Sequence, residues 1–358
     1  MGAVNISTQN DSARIGNSDE MRSANYRPML SVVIPTCHRA SSLEKCLDSL
    51  AEQTYQDFEV VLVQCAEDAA TKDIVSKYLG KIPIRLITQS GGLVSQMNAG
   101  LNASRGDIYI RTDDDIIADS RWLSEIVKAF HTNGDIGGVT GPTLIPSDRL
   151  ALRDLFMFLP SGGRTSFPRA VLGAIYVSFF LEGQLYEVGH FFRSGAWSPG
   201  SNFESILRRT LPITVDYLEA CNLSVKRDLL QKLGGFDPSF KSIGEFSEMD
   251  MSFGVRKLGY KLIFNPKAMV HHMVSRSGVF TERQYAYDRM TNFLYFYFKN
   301  AKLNSFETFA RFFTYLIFLQ GYWVYKSAAS GNLHYLGGLT GTLRGFAVGL
   351  TSWTRRGR

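Results

Sequence analysis

From Leu30 onward, short apolar runs alternate with stretches of helical periodicity, and this alternation limits the fold more than any other feature. Residues 31–35 (SVVIP) form a strand run stopped by a proline. Ser41-Ser42-Leu43-Glu44 has the form of a capping box, and Leu43, Cys46, Leu47 and Leu50 follow at helical spacing. Residues 58–63 and 84–88 read as further strands, with helices predicted over 70–79 and 93–103. A fourth strand, 107–111, runs straight into Thr112-Asp113-Asp114-Asp115; a helix over 119–131 and a strand over 136–140 follow. Strands separated by crossover helices predict an α/β chain with a mainly parallel sheet covered on both faces. Such sheets bind ligands beyond the carboxyl ends of their strands, where residues 36–39 and 112–115 both fall.

The rhythm breaks over 143–212, a stretch with several prolines and the pair Gly162-Gly163, which reads as an insertion over the sheet edge. Strands return at 213–218 and 223–225, a short helix at 227–233, a helix at about 248–258, and strands at 261–264 and 269–272. From Thr281 the chain is helical and aromatic: 17 of the 46 residues from Phe280 to Tyr325 are Phe, Tyr or Trp, so this surface must be covered by something. It is also basic. Residues 276–358 hold eleven Lys/Arg against three Asp/Glu, leaving about −2 for the first 275 residues of a chain whose formal net charge is +6. A local basic region on a near-neutral body argues against a nucleic-acid binder and for a local anionic partner. Phe306, Phe309, Phe313 and Ile317 fall near one helical face, and the apolar stretch 312–325, flanked by Arg311 and Lys326, is too short to span a bilayer. Two readings stay open: an interfacial membrane helix, or a helical layer packed on the main domain or in a homo-oligomer. Residues 1–28 are polar and read as a flexible leader, not a signal peptide. The four cysteines, Cys37, Cys46, Cys65 and Cys221, lack CxxC spacing and read as reduced thiols of a cytosolic protein.

Three segments carry chemistry. Asp113-Asp114-Asp115 at a strand end repel one another unless a cation gathers them, and oxygen ligands suit Mg²⁺ or Mn²⁺. The other reading is a solvated acidic turn capping the next helix. Glu248 and Asp250 stand at a helix start, placed either as a general base or as charges complementing the helix dipole. His271-His272 ends a strand, as a metal ligand or as an ordinary hydrogen-bonded pair.

Taken together and in order, these segments resemble the family 2 glycosyltransferases of the GT-A fold, from about Leu30 to Phe298. Residues 31–39 (SVVIPTCHR) look like the family's first strand and nucleotide loop; Leu47-Asp48-Ser49-Leu50, Gln53-Thr54-Tyr55 and Phe58-Glu59-Val60 continue the likeness. Gly92 to Asn98, Gly100 and Gly106-Asp107 lead to Asp113 and Asp115 in the DxD places. Asn222 to Arg227 and Gly234-Gly235-Phe236-Asp237 resemble the acceptor side, 247–252 the acidic helix start, and Pro266, Ala268, Val270 and His272 the strand whose histidine assists the metal.

The resemblance implies a division into a nucleotide-sugar half (29–142), an acceptor half (143–280) and a C-terminal helical region (281–358). It implies Asp113, Asp115 and His272 as ligands of Mg²⁺ or Mn²⁺; Pro35, Thr36, Arg39, Gln64, Asn98, Asp113 and Asp114 as donor contacts; and Glu248 or Asp250 as the base. The loop after His272, with Arg276 and Arg283, either closes over the diphosphate or is a solvated basic loop. The expected activity is inverting, metal-dependent transfer of a sugar from a nucleotide-sugar donor to a glycan or glycolipid acceptor, at the cytoplasmic face of the cell membrane. Gln64-Cys65 and Met97 depart from the family pattern at donor positions, so the nucleotide is not set by the likeness. A catalytically inactive sugar-nucleotide binder and a nucleotidyltransferase are the alternatives. The second is disfavoured because residues 36–39 are not a Gly-rich basic loop.

Overall fold

The computed structural model describes residues 29–146, 167–274, 286–301 and 304–356. The expected leader 1–28, Arg276 and Arg283, and Pro160 and Gly162-Gly163 of the insertion lie outside the described residues. Eleven strands are described: β1 (Leu30–Thr36), β2 (Phe58–Gln64), β3 (Ile84–Thr88), β4 (Ile108–Arg111), β5 (Ile116–Ala118), β6 (Ile136–Thr140), β7 (Thr143–Leu144), β8 (Ile213–Val215), β9 (Leu223–Lys226), β10 (Lys261–Phe264) and β11 (Val270–His272). The described α-helices are α1 (Ala40–Ala51), α2 (Ala69–Ser76), α3 (Leu93–Ala103), α4 (Trp122–Thr132), α5 (Phe167–Ile175), α6 (Arg227–Lys232), α7 (Ser247–Lys257), α8 (Ala286–Asn300), α9 (Phe306–Ser330) and α10 (Gly337–Arg356).

Eight strands form one mixed sheet in the order β3-β2-β1-β4-β9-β6-β10-β8. β3, β2, β1 and β4 are parallel, as the crossover helices require; β9 runs antiparallel between β4 and β6, and β8 is an antiparallel edge. Alternation along β1 separates two cores. Leu30, Val32 and Ile34 face a cluster with Leu43, Leu47 and Trp122, while Val33 faces one with Met97, Tyr109 and Phe236. Gly100 of α3 lies so close to the sheet that a Cβ there would stand 2.3 Å from Val33.

A second, three-stranded sheet, β5-β11-β7, was not legible in the sequence beyond β11. Its antiparallel register pairs His272 with Ile116, so the strand carrying the histidine is laid beside the residue that follows Asp115. The backbone N–H of Met273 donates to the Asp115 carbonyl at 2.9 Å and secures that register.

Two expectations are corrected. The capping box does not form: α1 begins at Ala40 with Arg39 as N-cap, which places Ser41 inside the first turn, and Glu44 pairs instead with Lys77 at 2.7 Å. Cys37 and Cys65, expected as reduced thiols, are joined in a disulfide. The parallel register sets Thr36 opposite Gln64, so the next residue of each strand emerges beside the other, with Cα atoms 5.1 Å apart across 28 residues of sequence. Cys46 and Cys221 are free and buried.

The aromatic helices divide their faces. Phe293, Phe296, Tyr297, Phe312, Tyr315 and Trp323 merge with the core on one face of the main sheet, with Tyr297 and Phe312 stacked at 3.8 Å. α10 approaches α8 closely: a Cβ on Gly341 would stand 2.2 Å from the Tyr287 carbonyl oxygen, and one on Gly349 2.5 Å from the Phe298 ring. The other face stays open, with Phe306 85% and Ile317 72% exposed. No described helix is long and apolar enough to cross a membrane.

Candidate active site

The acidic triplet leaves β4 at the carboxyl end of the sheet, beside the loop that follows β1. Thr36 Oγ1 donates to Asp114 Oδ2 at 2.6 Å. The Arg39 guanidinium spans two carboxylates, with Nη1 2.8 Å from Asp114 Oδ1 and Nη2 2.5 Å from Asp115 Oδ2. From the other side, His272 Nε2 stands 3.2 Å from Asp115 Oδ1 and 3.8 Å from Asp113 Oδ2. Arg111 Nη2 lies 2.7 Å from Asp113 Oδ1. Asp114 and Asp115 are 2% and 5% exposed, which excludes the solvated turn; α4 starts at Trp122 and takes no side-chain cap.

Burial drives the titration of this cluster. It raises the Asp114 carboxyl to about 7 against the pull of Arg39 and Thr36, with Asp115 and Asp113 adding to the rise. Burial works against the charged form of His272, but Cys221 and Asp115 outweigh it and hold the imidazole well above its ordinary value. Two arginines and one histidine thus stand among three carboxylates. Ligand atoms of Asp113, Cys221 and His272 lie within 4.8 Å of one another. The Cys221 Sγ is 3.5 Å from His272 Nδ1, so that contact occupies one ring nitrogen and Nε2 is the one turned to the aspartates. Carboxylate oxygens with an imidazole nitrogen are a donor set that fits Mg²⁺ or Mn²⁺.

Glu248 is in the first turn of α7, which Phe246 enters in the left-handed region at φ 76°. Its carboxylate is buried and accepts from Ser247 Oγ at 3.0 Å. Burial raises its pKa, with Arg111 pulling the other way from 3.9 Å. Asp113 and Glu248 therefore flank one guanidinium. Asp250, the alternative base, goes elsewhere: it takes Lys299 Nζ at 2.6 Å and Asn300 Nδ2 at 2.7 Å, since two residues along a helix turn the side chain to another face.

The expected donor contacts scatter. Thr36 and Arg39 join the acidic cluster. Asp114, expected at the donor, instead fastens that loop through Thr36 and Arg39. Pro35 is buried within β1. Gln64 donates to Thr88 Oγ1 at 2.8 Å, and its buried Oε1 has no hydrogen bond among the described residues. Asn98 spends both halves of its amide on the Phe236 backbone, at 2.8 and 2.9 Å, and so joins α3 to the Gly234-Gly235 turn. Sequence reasoning missed Arg111 and Cys221. An arginine closing a buried strand was the available signal for the first; the second has no local signal.

Residues 31–233 match the family described as Glycosyl transferase family 2. The PGL/p-HBAD biosynthesis glycosyltransferase of Mycobacterium bovis is 36% identical over 94 residues, which cover 25% of this chain and 37% of the relative. The validoxylamine A glucosyltransferase of Streptomyces hygroscopicus is 31% identical over 107 residues, 28% of this chain and 25% of that protein. The chain thus spans well under half the length of these curated relatives. Among solved structures, the mannosyltransferase PcManGT from Pyrobaculum calidifontis, in complex with GDP-Man and Mn²⁺, superposes with TM-score 0.50 at 17% identity, over 92% of this chain and 87% of that one. GalNAc-T7 with UDP, GalNAc and Mn²⁺ superposes with TM-score 0.53 at 18% identity, over 76% of this chain and 48% of that one. These two share the sheet architecture described above, and with a family match across more than half its length this chain belongs to glycosyl transferase family 2, on the GT-A fold.

Proposed function

We propose that the protein is an inverting, divalent-metal-dependent glycosyltransferase that moves a sugar from a nucleoside-diphosphate donor to a hydroxyl of a lipid-linked or polysaccharide acceptor. One observation carries this reading: Asp113, Asp115 and His272 converge at the sheet's carboxyl end, and Glu248 stands across Arg111 from Asp113. Asp113, Asp115 and His272 would hold Mg²⁺ or Mn²⁺, which supplies charge neutralisation for the departing nucleoside diphosphate. Glu248 takes the proton of the acceptor hydroxyl while its oxygen bonds to the anomeric carbon and the bond to the diphosphate breaks with its electron pair. A single displacement inverts the anomeric centre. Arg39, held by Asp114 and Asp115, fastens the β1 loop beside the proposed metal ligands.

The acceptor class rests on the C-terminal helices. Phe306, Phe309, Ile317 and Val324 of α9 and Leu343 and Leu350 of α10 leave apolar side chains in solvent, on a region with net +8 over residues 276–358. An apolar helix face in a basic region suits peripheral contact with an anionic leaflet.

The test is donor turnover in Asp115→Ala and Glu248→Gln, with anomeric configuration of the product read by NMR. Full turnover in both variants, or a retained configuration in the wild type, would end the assignment.

A further inference from the structure

Among the described residues, Arg111 lies beside both the proposed metal ligands and the proposed base, and its own bonding is incomplete. Its side chain is 3% exposed, deep under the cleft on the last residue of β4. Nη2 is 2.7 Å from Asp113, and Nε is 3.9 Å from Glu248 Oε1, too far for a hydrogen bond. Nε and Nη1 are both buried and make no hydrogen bond among the described residues. Buried donors left unmade are rare and call for a reason. A guanidinium offers five N–H groups in a rigid fork and can serve two carboxylates along different edges. Here Nη2 is engaged by Asp113, while Nε, the atom nearest Glu248, stands beyond hydrogen-bond reach.

We propose that Arg111 is a positioning residue that Asp113 and Glu248 use in turn: it is the partner of Asp113 in the metal-free protein, and it closes on Glu248 once Asp113 is engaged by the divalent ion. The inference rests on the metal and base assignments above and adds a coupling between them. Glu248, already held by Ser247, gains its second fixed partner only when the metal site is filled, which ties ordering of the base to metal binding. The exchange costs little movement, because both carboxylates already flank the same planar group. In the filled site the divalent ion would itself neutralise Asp113, so that carboxylate would not be left unpaired when Arg111 turns away.

The test uses the full chain and the variants Arg111→Met and Arg111→Lys. Binding of Mn²⁺ alone is measured by titration calorimetry without donor or acceptor, and kcat and donor KM are measured separately. In Arg111→Met a cation competing for Asp113 is gone, so Mn²⁺ alone should bind as tightly as in the wild type or several-fold tighter. Its kcat should fall about 10- to 100-fold with donor KM within about threefold, as for loss of an ordered general base. Arg111→Lys should recover part of kcat, since it keeps the charge but not the fork. Parallel losses of Mn²⁺ affinity and kcat would overturn the proposal, as would an unchanged kcat. If Arg111→Met does not fold, Arg111→Lys carries the same comparison, with undiminished Mn²⁺ binding beside a reduced kcat as the supporting result. Failure of the underlying reading looks different: the wild type itself would bind no Mn²⁺, or Glu248→Gln would turn over fully, and the proposal would fall with it.

Discussion

Lys299 on α8 reaches Asp250 on α7 at 2.6 Å, and the same ammonium holds Asp237 at 2.7 Å. The C-terminal layer thereby grips the helix that carries Glu248 two residues before Asp250. Removing the cation leaves two partly buried carboxylates facing each other. Lys299→Met is expected to cost about 3 kcal/mol of stability, the scale for breaking a buried pair on one side. Urea unfolding checks this; a loss below about 0.5 kcal/mol would show that the contact is incidental.

Acid should release the same cluster. Burial alone would raise Asp237, but Lys299, the Ser239 backbone N–H and the Tyr295 hydroxyl bring it down to about 2. A folded value below the unfolded one gives stability that is complete above the ordinary carboxylate range and is lost as pH falls toward 2. Asp237→Asn should therefore be less stable than the wild type at pH 6, with the gap shrinking steadily between about pH 4 and pH 2. A gap independent of pH would contradict the sign worked out here.

Glu248 should behave in the opposite way. Burial holds its pKa above the ordinary carboxylate range, so ionisation costs the folded state. The favourable contribution is complete at low pH and is lost as pH rises through the raised value. Glu248→Gln is expected to melt higher than the wild type at neutral pH, to match it in acid, and to lose about 10²-fold or more in kcat. Equal melting temperatures at both pH values would remove the argument.

The Cys37–Cys65 bridge closes the ends of β1 and β2 beside Arg39. For a loop of 28 residues, chain entropy predicts about 3–4 kcal/mol of stabilisation. The double Cys37→Ser, Cys65→Ser variant should unfold at correspondingly lower urea, and dithiothreitol should bring the wild type to the same midpoint. Identical midpoints with and without reductant would mean that the thiols are unpaired in solution.

The open face of α9 should confer binding to anionic vesicles. In co-sedimentation with phosphatidylglycerol-containing liposomes, Phe306→Ser with Ile317→Ser should weaken binding by about tenfold and leave the melting temperature within a degree or two, because both side chains already lie in water. Binding that is indifferent to these changes, or equal on neutral vesicles, would count against membrane contact.

Local pattern determined the parallel half of the sheet, the helix over residues 93–103 and the position of the acidic triplet at a strand end, because apolar periodicity and strand termination are properties of neighbouring residues. The resemblance to family 2 glycosyltransferases, not local pattern, singled out Asp113, Asp115, Glu248 and His272 as an ordered set. Tertiary structure alone decided which of these side chains meet. The pairing of β5 with β11 brings residues 115 and 272 together across more than 150 positions, and no window of sequence encodes a register between distant strands. The side chains of Glu248 and Asp250 are chemically alike and two residues apart; helix geometry sends one toward Arg111 and the other to Lys299. Cys37 and Cys65 became partners for the same reason that Thr36 faces Gln64: parallel strands align residues whose separation along the chain carries no trace of the contact.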